Sequence, residues 1–402
     1  MFNLKETIIS ITNRCNSRCR MCDIPMEKTE ELDTLAWKQA IKDISAAGAK
    51  TVVLSGGEPL LREDVFELLS FAKSSNMNTC ITSNGILIDD YVARKLFVSG
   101  INVVNVSIEG PEEIHDFLRG PGNFKKAVSA LAALEKHKIE TTIATIVSGY
   151  NYKSLISVVE LAREHKVTTI KFQPFSPLFL GDKKKSRDFA IATDDFRKME
   201  GIIKEVISLC SRYGIAVNPD KYLLNIPHYL AGKPINLNNI CSALLSSCPI
   251  NSKGEIFPCW ILTGHDNQIG SLKKESFLNL WGKDRHISII KRIERKGCPG
   301  CMMSCYDANF GQSGIKHRVI KNISKLKNRG LRVYSGQILN KWKNRLKFYS
   351  AYRGSLKSLA RKAKAIFRRK TNIDVKMKNQ GLGDVLKEIE IAERLLRDEL
   401  RR

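Results

Sequence analysis

A parallel α/β barrel of six strand–helix units, followed by a small cysteine-rich domain and a basic helical tail, is the architecture that this 402-residue sequence predicts. Three observations carry it. Short β-branched runs alternate with amphipathic stretches between residues 5 and 230, at the pitch of roughly 30 residues that a strand–helix unit needs. The eleven cysteines fall mostly into two groups, three at 15–22 and six at 241–305. The formal charge of +25 is concentrated in residues 316–402, where 26 Lys and Arg face 7 Asp and Glu.

The elements follow in order. Thr7–Thr12, Thr51–Leu54, Asn78–Ser83, Val103–Ile108, Glu140–Val147 and Thr168–Phe172 are short runs bounded by turn residues and read as strands. Between and after them, Thr34–Ala47, Val65–Ser75, Asp89–Ser99, Phe124–Lys136, Tyr152–His165 and Thr193–Tyr213 place apolar residues at helical spacing. The last of these shows it in Phe196, Met199, Ile203, Val206, Ile207 and Cys210. The fold class is therefore α/β, a partial (β/α)6 TIM-like barrel whose active site is expected at the C-terminal ends of its strands. Residues 1–230 form this barrel. A Pro- and Asn-rich segment at 225–239 reads as a linker, residues 231–315 as the small auxiliary domain, and residues 316–402 as the basic helical extension.

Composition bounds the function. With 43% apolar residues the chain buries a sizeable core. It has no apolar run of membrane-spanning length and no secretory signal, so a cytoplasmic location is expected, with peripheral attachment at the inner membrane face as an option. Cysteines in a reducing compartment point to metal ligation rather than disulfides. Cys80 and Cys210 stand alone and read as ordinary buried thiols. The seven histidines form no ligand spacing and read mostly as solvated or capping residues.

Cys15, Cys19 and Cys22 lie in a C-x3-C-x2-C run directly after the first strand. A closed tetrahedral zinc or a fully ligated iron–sulfur cube takes four protein ligands. Three on one loop leave a position for something else, or for a distant fourth ligand of a zinc site. Ser55-Gly-Gly-Glu-Pro59 ends the second strand; adjacent glycines admit a close approach, and Glu58 offers an acceptor for an ammonium group. Ser83-Asn84-Gly85 ends the third.

The cysteine run, with Met21 as the apolar residue of C-x3-C-x-φ-C, resembles the cluster loop of the radical S-adenosylmethionine (SAM) superfamily. The resemblance implies that Cys15, Cys19 and Cys22 hold three irons of a [4Fe-4S] cluster and that SAM chelates the fourth. An electron then cleaves SAM to methionine and a 5′-deoxyadenosyl radical, which abstracts hydrogen from substrate. Gly56, Gly57, Glu58 and Pro59 are similar to the family's Gly-Gly-Glu-Pro, which recognises the SAM amino group. Asn84 occupies the family's turn after the third strand. The run from Ser107 to Gly120 resembles the fourth-strand segment, implicating Ser107 and Arg119 in holding SAM; Glu109 stands where many relatives carry Asp. Asn151 and Gln173 are weaker candidates for ribose or substrate contacts.

Downstream, Cys241, Cys248, Cys259, Cys298, Cys301 and Cys305 resemble the ligand pattern of SPASM or Twitch auxiliary domains, with Lys253-Gly254 as a hairpin turn. That implies one auxiliary [4Fe-4S] cluster held by Cys259, Cys298, Cys301 and Cys305. Cys241 and Cys248 remain open as replacements, as ligands of a second cluster, or as buried thiols, and a zinc knuckle is the reading outside the family.

The expected activity is that of a radical SAM oxidoreductase or maturase acting on a peptide, cofactor precursor or sugar, supplied with electrons by flavodoxin or ferredoxin. The first strand starts within ten residues of Met1, so recognition of a peptide is expected to need a separate partner. Residues 338–370 alternate apolar and basic side chains. They read as a helix packing on protein, as contact with an anionic membrane surface, or as a nucleic-acid contact. Because the excess charge is in the tail and not on the core, nucleic acid is not expected as the substrate. The alternatives are a membrane-surface oxidoreductase of glycan or lipid biosynthesis and a non-catalytic metal-stabilised RNA-binding protein.

Overall fold

The computed structural model describes residues 2–303 except 28–29, 178–179, 181, 234–240, 242 and 299. Cys305, the basic segment at 338–370 and the amphipathic stretch at 384–400 lie outside the described residues.

One sheet organises the molecule, with strand order β6-β5-β4-β3-β2-β1-β7-β8-β9. Strands β1 (Glu6–Thr12), β2 (Thr51–Gly56), β3 (Asn78–Ser83), β4 (Val103–Ser107), β5 (Glu140–Val147) and β6 (Thr169–Pro174) pair in parallel, each with its sequence neighbour. This is the six-unit partial barrel that the alternation predicts.

The helices between the strands are α1 (Thr34–Ala46), α2 (Val65–Ser74), α3 (Asp90–Val98), α4 (Glu112–Arg119), α5 (Asn123–Lys136) and α6 (Leu155–Glu164). After β6 come α7 (Lys183–Arg187), α8 (Phe196–Tyr213) and α9 (Asp220–Leu230). Local chemistry sets their starts. Asp33 and Asp89 accept the backbone N–H of Ala36 and Val92, each supplying an orphan donor of the first turn with a partner. Helix-facing strand residues Ile9, Leu54, Ile81, Val104, Val106, Ile143, Ile170 and Phe172 are fully buried against this layer. At roughly 1.5–3 kcal/mol for each such side chain, this face holds the barrel together.

One expectation changes. Residues 225–230 are not linker; they complete α9, whose Tyr222, Leu223, Ile226 and Leu230 are buried at helical spacing despite Pro227. The cysteine-rich segment extends the barrel sheet. Strand β7 (Ser247–Ile250) adds to β1 in parallel, and β8 (Glu255–Ile256) and β9 (Gly270–Ser271) continue antiparallel. The turn between β7 and β8 contains Gly254 at φ +81°, as the Lys253-Gly254 hairpin requires. Helices α10 (Ala243–Ser246), α11 (Phe277–Leu280) and α12 (Asp284–Lys296) flank these strands in sequence. Among the described residues no helix is long and apolar enough to cross a membrane.

Candidate active site

The three-cysteine loop leaves the C-terminal end of β1 and is clamped from two sides. On one side the end of β2 presses against its backbone. Gly57 and Glu58 donate their N–H groups to Thr12 O and Arg14 O, both at 2.8 Å. A Cβ on Gly56 would stand 2.1 Å from Thr12 O, and one on Gly57 would stand 2.2 Å from Arg14 O. The glycine pair therefore serves a close approach to the cysteine loop itself, where the sequence suggested an approach to a ligand. On the other side the loop donates to the C-terminal carbonyls of α4, which have no partner within the helix. Arg20 N reaches Leu118 O at 2.8 Å, Ser17 Oγ reaches Arg119 O at 2.7 Å, and Arg20 Nε reaches Phe117 O at 2.9 Å.

All three thiols are partly buried and face donors. Asn84 Nδ2 lies 3.8 Å from Cys15 Sγ, and Arg119 Nη1 lies 3.8 Å from Cys19 Sγ. Ser17 Oγ is 3.2 Å from Cys19 Sγ. Burial pushes the Cys22 thiol up to about 11 and also raises Cys15, and neighbouring thiols of the loop add to both shifts. Three sulfurs on one loop, of which Cys15 and Cys22 are costly to ionise unaided, fit a cationic iron–sulfur group whose irons compensate the thiolates. Among the described residues no three His, Cys, Asp or Glu side chains are placed to hold a single metal ion. Met21, between the second and third cysteine, packs in the main hydrophobic core.

Around the loop stand the other expected residues. Glu58 is fully buried; its Oε2 accepts from Asn84 N at 2.8 Å and its Oε1 from Leu60 N at 3.2 Å. Burial drives its carboxyl up to about 7 against those donors and against Arg119. Pro59, buried, begins the turn that follows. Asn84 also donates to Asn16 Oδ1 at 2.8 Å, tying the turn after β3 to the cysteine loop. Ser107, 7% exposed, ends β4 on the same face of the sheet.

Arg119 forms a buried ion pair with Glu109. Its Nε and Nη2 lie 2.7 and 2.6 Å from Glu109 Oε1, and Glu109 Oε2 accepts from Ile146 N at 2.7 Å. Arg119 Nη1 faces Cys19 Sγ, so the guanidinium bridges Glu109 and the cysteine loop. Burial lowers the Arg119 pKa, but Glu109 and Cys19 outweigh it and hold the group above its ordinary value.

Several residues escaped the sequence reading. His115 and His286 are buried, not solvated. Burial pulls them down to about 3 and about 4, and His115 Nδ1 accepts from Glu109 N at 3.3 Å. The Asn151 side chain is fully buried, donating to Glu109 O and Ile146 O and accepting from Ser148, so it is a strut and not a ligand contact. Arg62 donates to Ile11 O and Leu32 O and pairs with Asp64 and Glu31, while Glu31 accepts from Thr12 Oγ1. No spacing signal marks Arg62, because its partners are backbone carbonyls distant in sequence. Gln173 lies near the end of β6.

In the second group, Cys241, Cys259 and Cys301 gather in one small cluster with Ala243, Trp260 and Met303. Cys298 acts electrostatically on both Cys259 and Cys301, and Cys241 acts on Cys301. Burial foremost, with those neighbours, pushes Cys259 up to about 12 and Cys301 up to about 11. Four thiols are thus close together. Cys248 is not among them: it lies fully buried in β7, opposite Thr7 of β1, and burial holds its thiol well above the ordinary value.

Comparison with known proteins bears on this arrangement. The radical SAM superfamily profile matches residues 9–162, and the SPASM iron–sulfur cluster-binding domain profile matches residues 241–306. An Fe-coproporphyrin III synthase of Methanosarcina barkeri is 31% identical over 188 residues, covering 45% of this chain and 47% of that protein. The chain thus spans about half the length of that relative. An AdoMet-dependent heme synthase of the same organism is 25% identical over 321 residues, 74% of this chain and 91% of the relative. The mycofactocin maturase MftC of Mycolicibacterium smegmatis is 26% identical over 314 residues, 75% of this chain and 76% of the relative. Among solved structures, Streptococcus suis SuiB bound to S-adenosylmethionine superposes with a TM-score of 0.60 at 16% identity, covering 78% of this chain and 76% of that one.

Proposed function

The chain belongs to the radical SAM superfamily and carries a SPASM iron–sulfur domain, and on that premise we propose that it oxidises a cofactor precursor or a peptide by hydrogen abstraction. The observation that supports this most strongly is the cysteine loop itself: three thiols ringed by Glu58, Asn84 and Arg119, clamped between the end of β2 and the end of α4.

Cys15, Cys19 and Cys22 hold the catalytic cluster. Bound there, cluster and SAM supply a one-electron cleavage that yields a hydrogen-abstracting radical. The protein's own work is positioning. Glu58 accepts from the SAM ammonium, and its buried carboxylate gains a partner for its charge in doing so. Ser107 and Arg119 take the SAM carboxylate. Asn84 and Arg119 direct N–H groups at Cys15 and Cys19, fixing the sulfurs and stabilising their charge. Cys259, Cys298 and Cys301, with Cys241 or Cys305, hold the auxiliary cluster. A flavodoxin or ferredoxin supplies the electron. Two of the three relatives named above are named as synthases of heme or Fe-coproporphyrin, which favours the cofactor-precursor branch, while the maturase supports the peptide one.

The test is anaerobic reconstitution followed by reduction with dithionite in the presence of SAM. Methionine and 5′-deoxyadenosine are expected from the native chain and not from a Cys15→Ala, Cys19→Ala, Cys22→Ala variant. Zinc without acid-labile sulfide in the purified protein would overturn the reading.

A further inference from the structure

The two faces of the barrel sheet differ in chemistry and in exposure. One set of alternate strand residues, mostly apolar with a few threonines and Ser83, is sealed under the helices; the other set forms the concave face. There Ser107 of β4 stands opposite Ala144 of β5, and Ala144 stands opposite Lys171 of β6. Strand pairing thus places Lys171 in the same row as a residue expected to hold SAM. Its strand neighbours Ile170 and Phe172 are fully buried on the helix face, whereas Lys171 is exposed.

The next row down reads Thr82, Asn105, Thr142 and Thr169 in register across β3 to β6. It offers only small neutral hydroxyls and an amide. Asn105 Nδ2 donates to Thr82 Oγ1 at 3.1 Å and faces Cys80 Sγ at 3.3 Å. Asn105 Oδ1 and Thr169 Oγ1 have no hydrogen-bond partner among the described residues, although the two side chains are only 8% and 6% exposed. A buried polar oxygen left without a hydrogen-bond partner is unfavourable, so these two atoms mark where a ligand or ordered solvent completes the site. One row deeper lies Cys80, a partly exposed residue whose thiol burial pushes up to about 12.

We propose that this floor is a substrate subsite, in which Lys171 pairs a carboxylate of the substrate while Asn105 Oδ1 and Thr169 Oγ1 meet a neighbouring polar group of the same molecule. The proposal rests on the radical SAM reading and adds to it a substrate class, an organic molecule bearing a carboxylate. Position supports it: the subsite begins in the Ser107 row, beside the residues expected to bind SAM. A cation over a neutral polar floor, walled by a sealed sheet, concentrates anions beyond what an isolated surface lysine does. Glu140 in the row of Cys80 and Glu6 below it carry the opposite charge on this same face, so anion binding is confined to the Lys171 end of the subsite.

The experiment is competitive labelling of the reconstituted full chain with pyridoxal 5′-phosphate, an anionic aldehyde that forms an imine with lysine. Cyanoborohydride then reduces the imine, and peptide masses locate the label. Lys42 and Lys126, exposed on the helix layer, serve as references. Lys171 is expected to label about tenfold faster than either. Benzene-1,3,5-tricarboxylate should protect it and the neutral trimethyl ester should not, and Asn105→Leu should weaken that protection while cluster content stays unchanged. Labelling of Lys171 at the reference rate, or equal protection by acid and ester, overturns the proposal. The readout needs no turnover, so a protein that cleaves SAM yet fails this test keeps the first reading and loses only the second.

Discussion

Arg119 and Glu109 form a buried ion pair, 2.6 Å between Nη2 and Oε1, that joins the end of α4 to the end of β4 directly behind the cysteine loop. The opposite oxygen of Glu109 holds the N–H of Ile146 at 2.7 Å, its backbone carbonyl holds Asn151, and its N–H points at His115. Glu109 thereby fixes the guanidinium whose Nη1 faces Cys19. Replacing one member of a buried pair costs about 3–5 kcal/mol. Glu109→Gln is expected to lower stability by about 3 kcal/mol in urea unfolding and to raise KM for SAM more than it lowers kcat. Glu109→Asp, which keeps the charge, should recover most of the SAM affinity.

Gly57 is the second point of contact. Its missing Cβ leaves room for Arg14 O, so Gly57→Ala must push the cysteine loop away from β2. Iron per chain after reconstitution is expected to fall by the share of the catalytic cluster, leaving the auxiliary iron bound. Unchanged iron would show that the loop tolerates the shift.

How much of this was readable in the sequence divides along physical lines. The six parallel strands were legible because strands sealed under helices must be apolar at alternate positions, and Ile9, Leu54, Ile81 and Ile143 obey that rule. The cysteine loop, Glu58 and Arg119 were singled out by their resemblance to the family's motifs, and the structure brings them together around one loop. What stayed hidden depends on partners distant along the chain. Arg62 bonds Ile11 O and Leu32 O, and Glu109 meets residues 119, 146 and 151; no local pattern encodes such contacts. The burial of His115 and His286 was missed for the same reason. The stretch at 225–230 was misread because Pro227 masked a helical spacing that packing sustains.

Glu58 gives a pH dependence with a definite sign. Its folded-state carboxyl titrates at about 7, above the ordinary value of 4.5, chiefly because it is buried. The folded state therefore holds the proton more tightly than the unfolded state, and stability falls as pH rises from about 4.5 to about 7. The loss is on the order of 3 kcal/mol. Urea unfolding of the SAM-free protein is expected to show higher stability at pH 5 than at pH 7.5, with this slope reduced in Glu58→Gln. An equal slope in the variant would assign the titration elsewhere.

Cys241 and Cys248 separate ligand from core. Cys241 shares a small cluster with Cys259 and Cys301, so Cys241→Ala is expected to reduce auxiliary iron with little change in the catalytic cluster. Cys248 is sealed in β7; Cys248→Ala should leave iron unchanged and lower stability by about 1–2 kcal/mol through the cavity it opens. Iron analysis and unfolding on the two variants side by side check both.

The most direct test of the central claim, that the incomplete site at Cys15, Cys19 and Cys22 is the one SAM completes, is the electron paramagnetic resonance spectrum of the reduced protein with and without SAM. The native chain is expected to give a cluster signal that shifts on adding SAM. A variant lacking Cys241, Cys259, Cys298 and Cys301 should keep that shift. A SAM-dependent shift that survives replacement of Cys15, Cys19 and Cys22 by alanine would contradict the account.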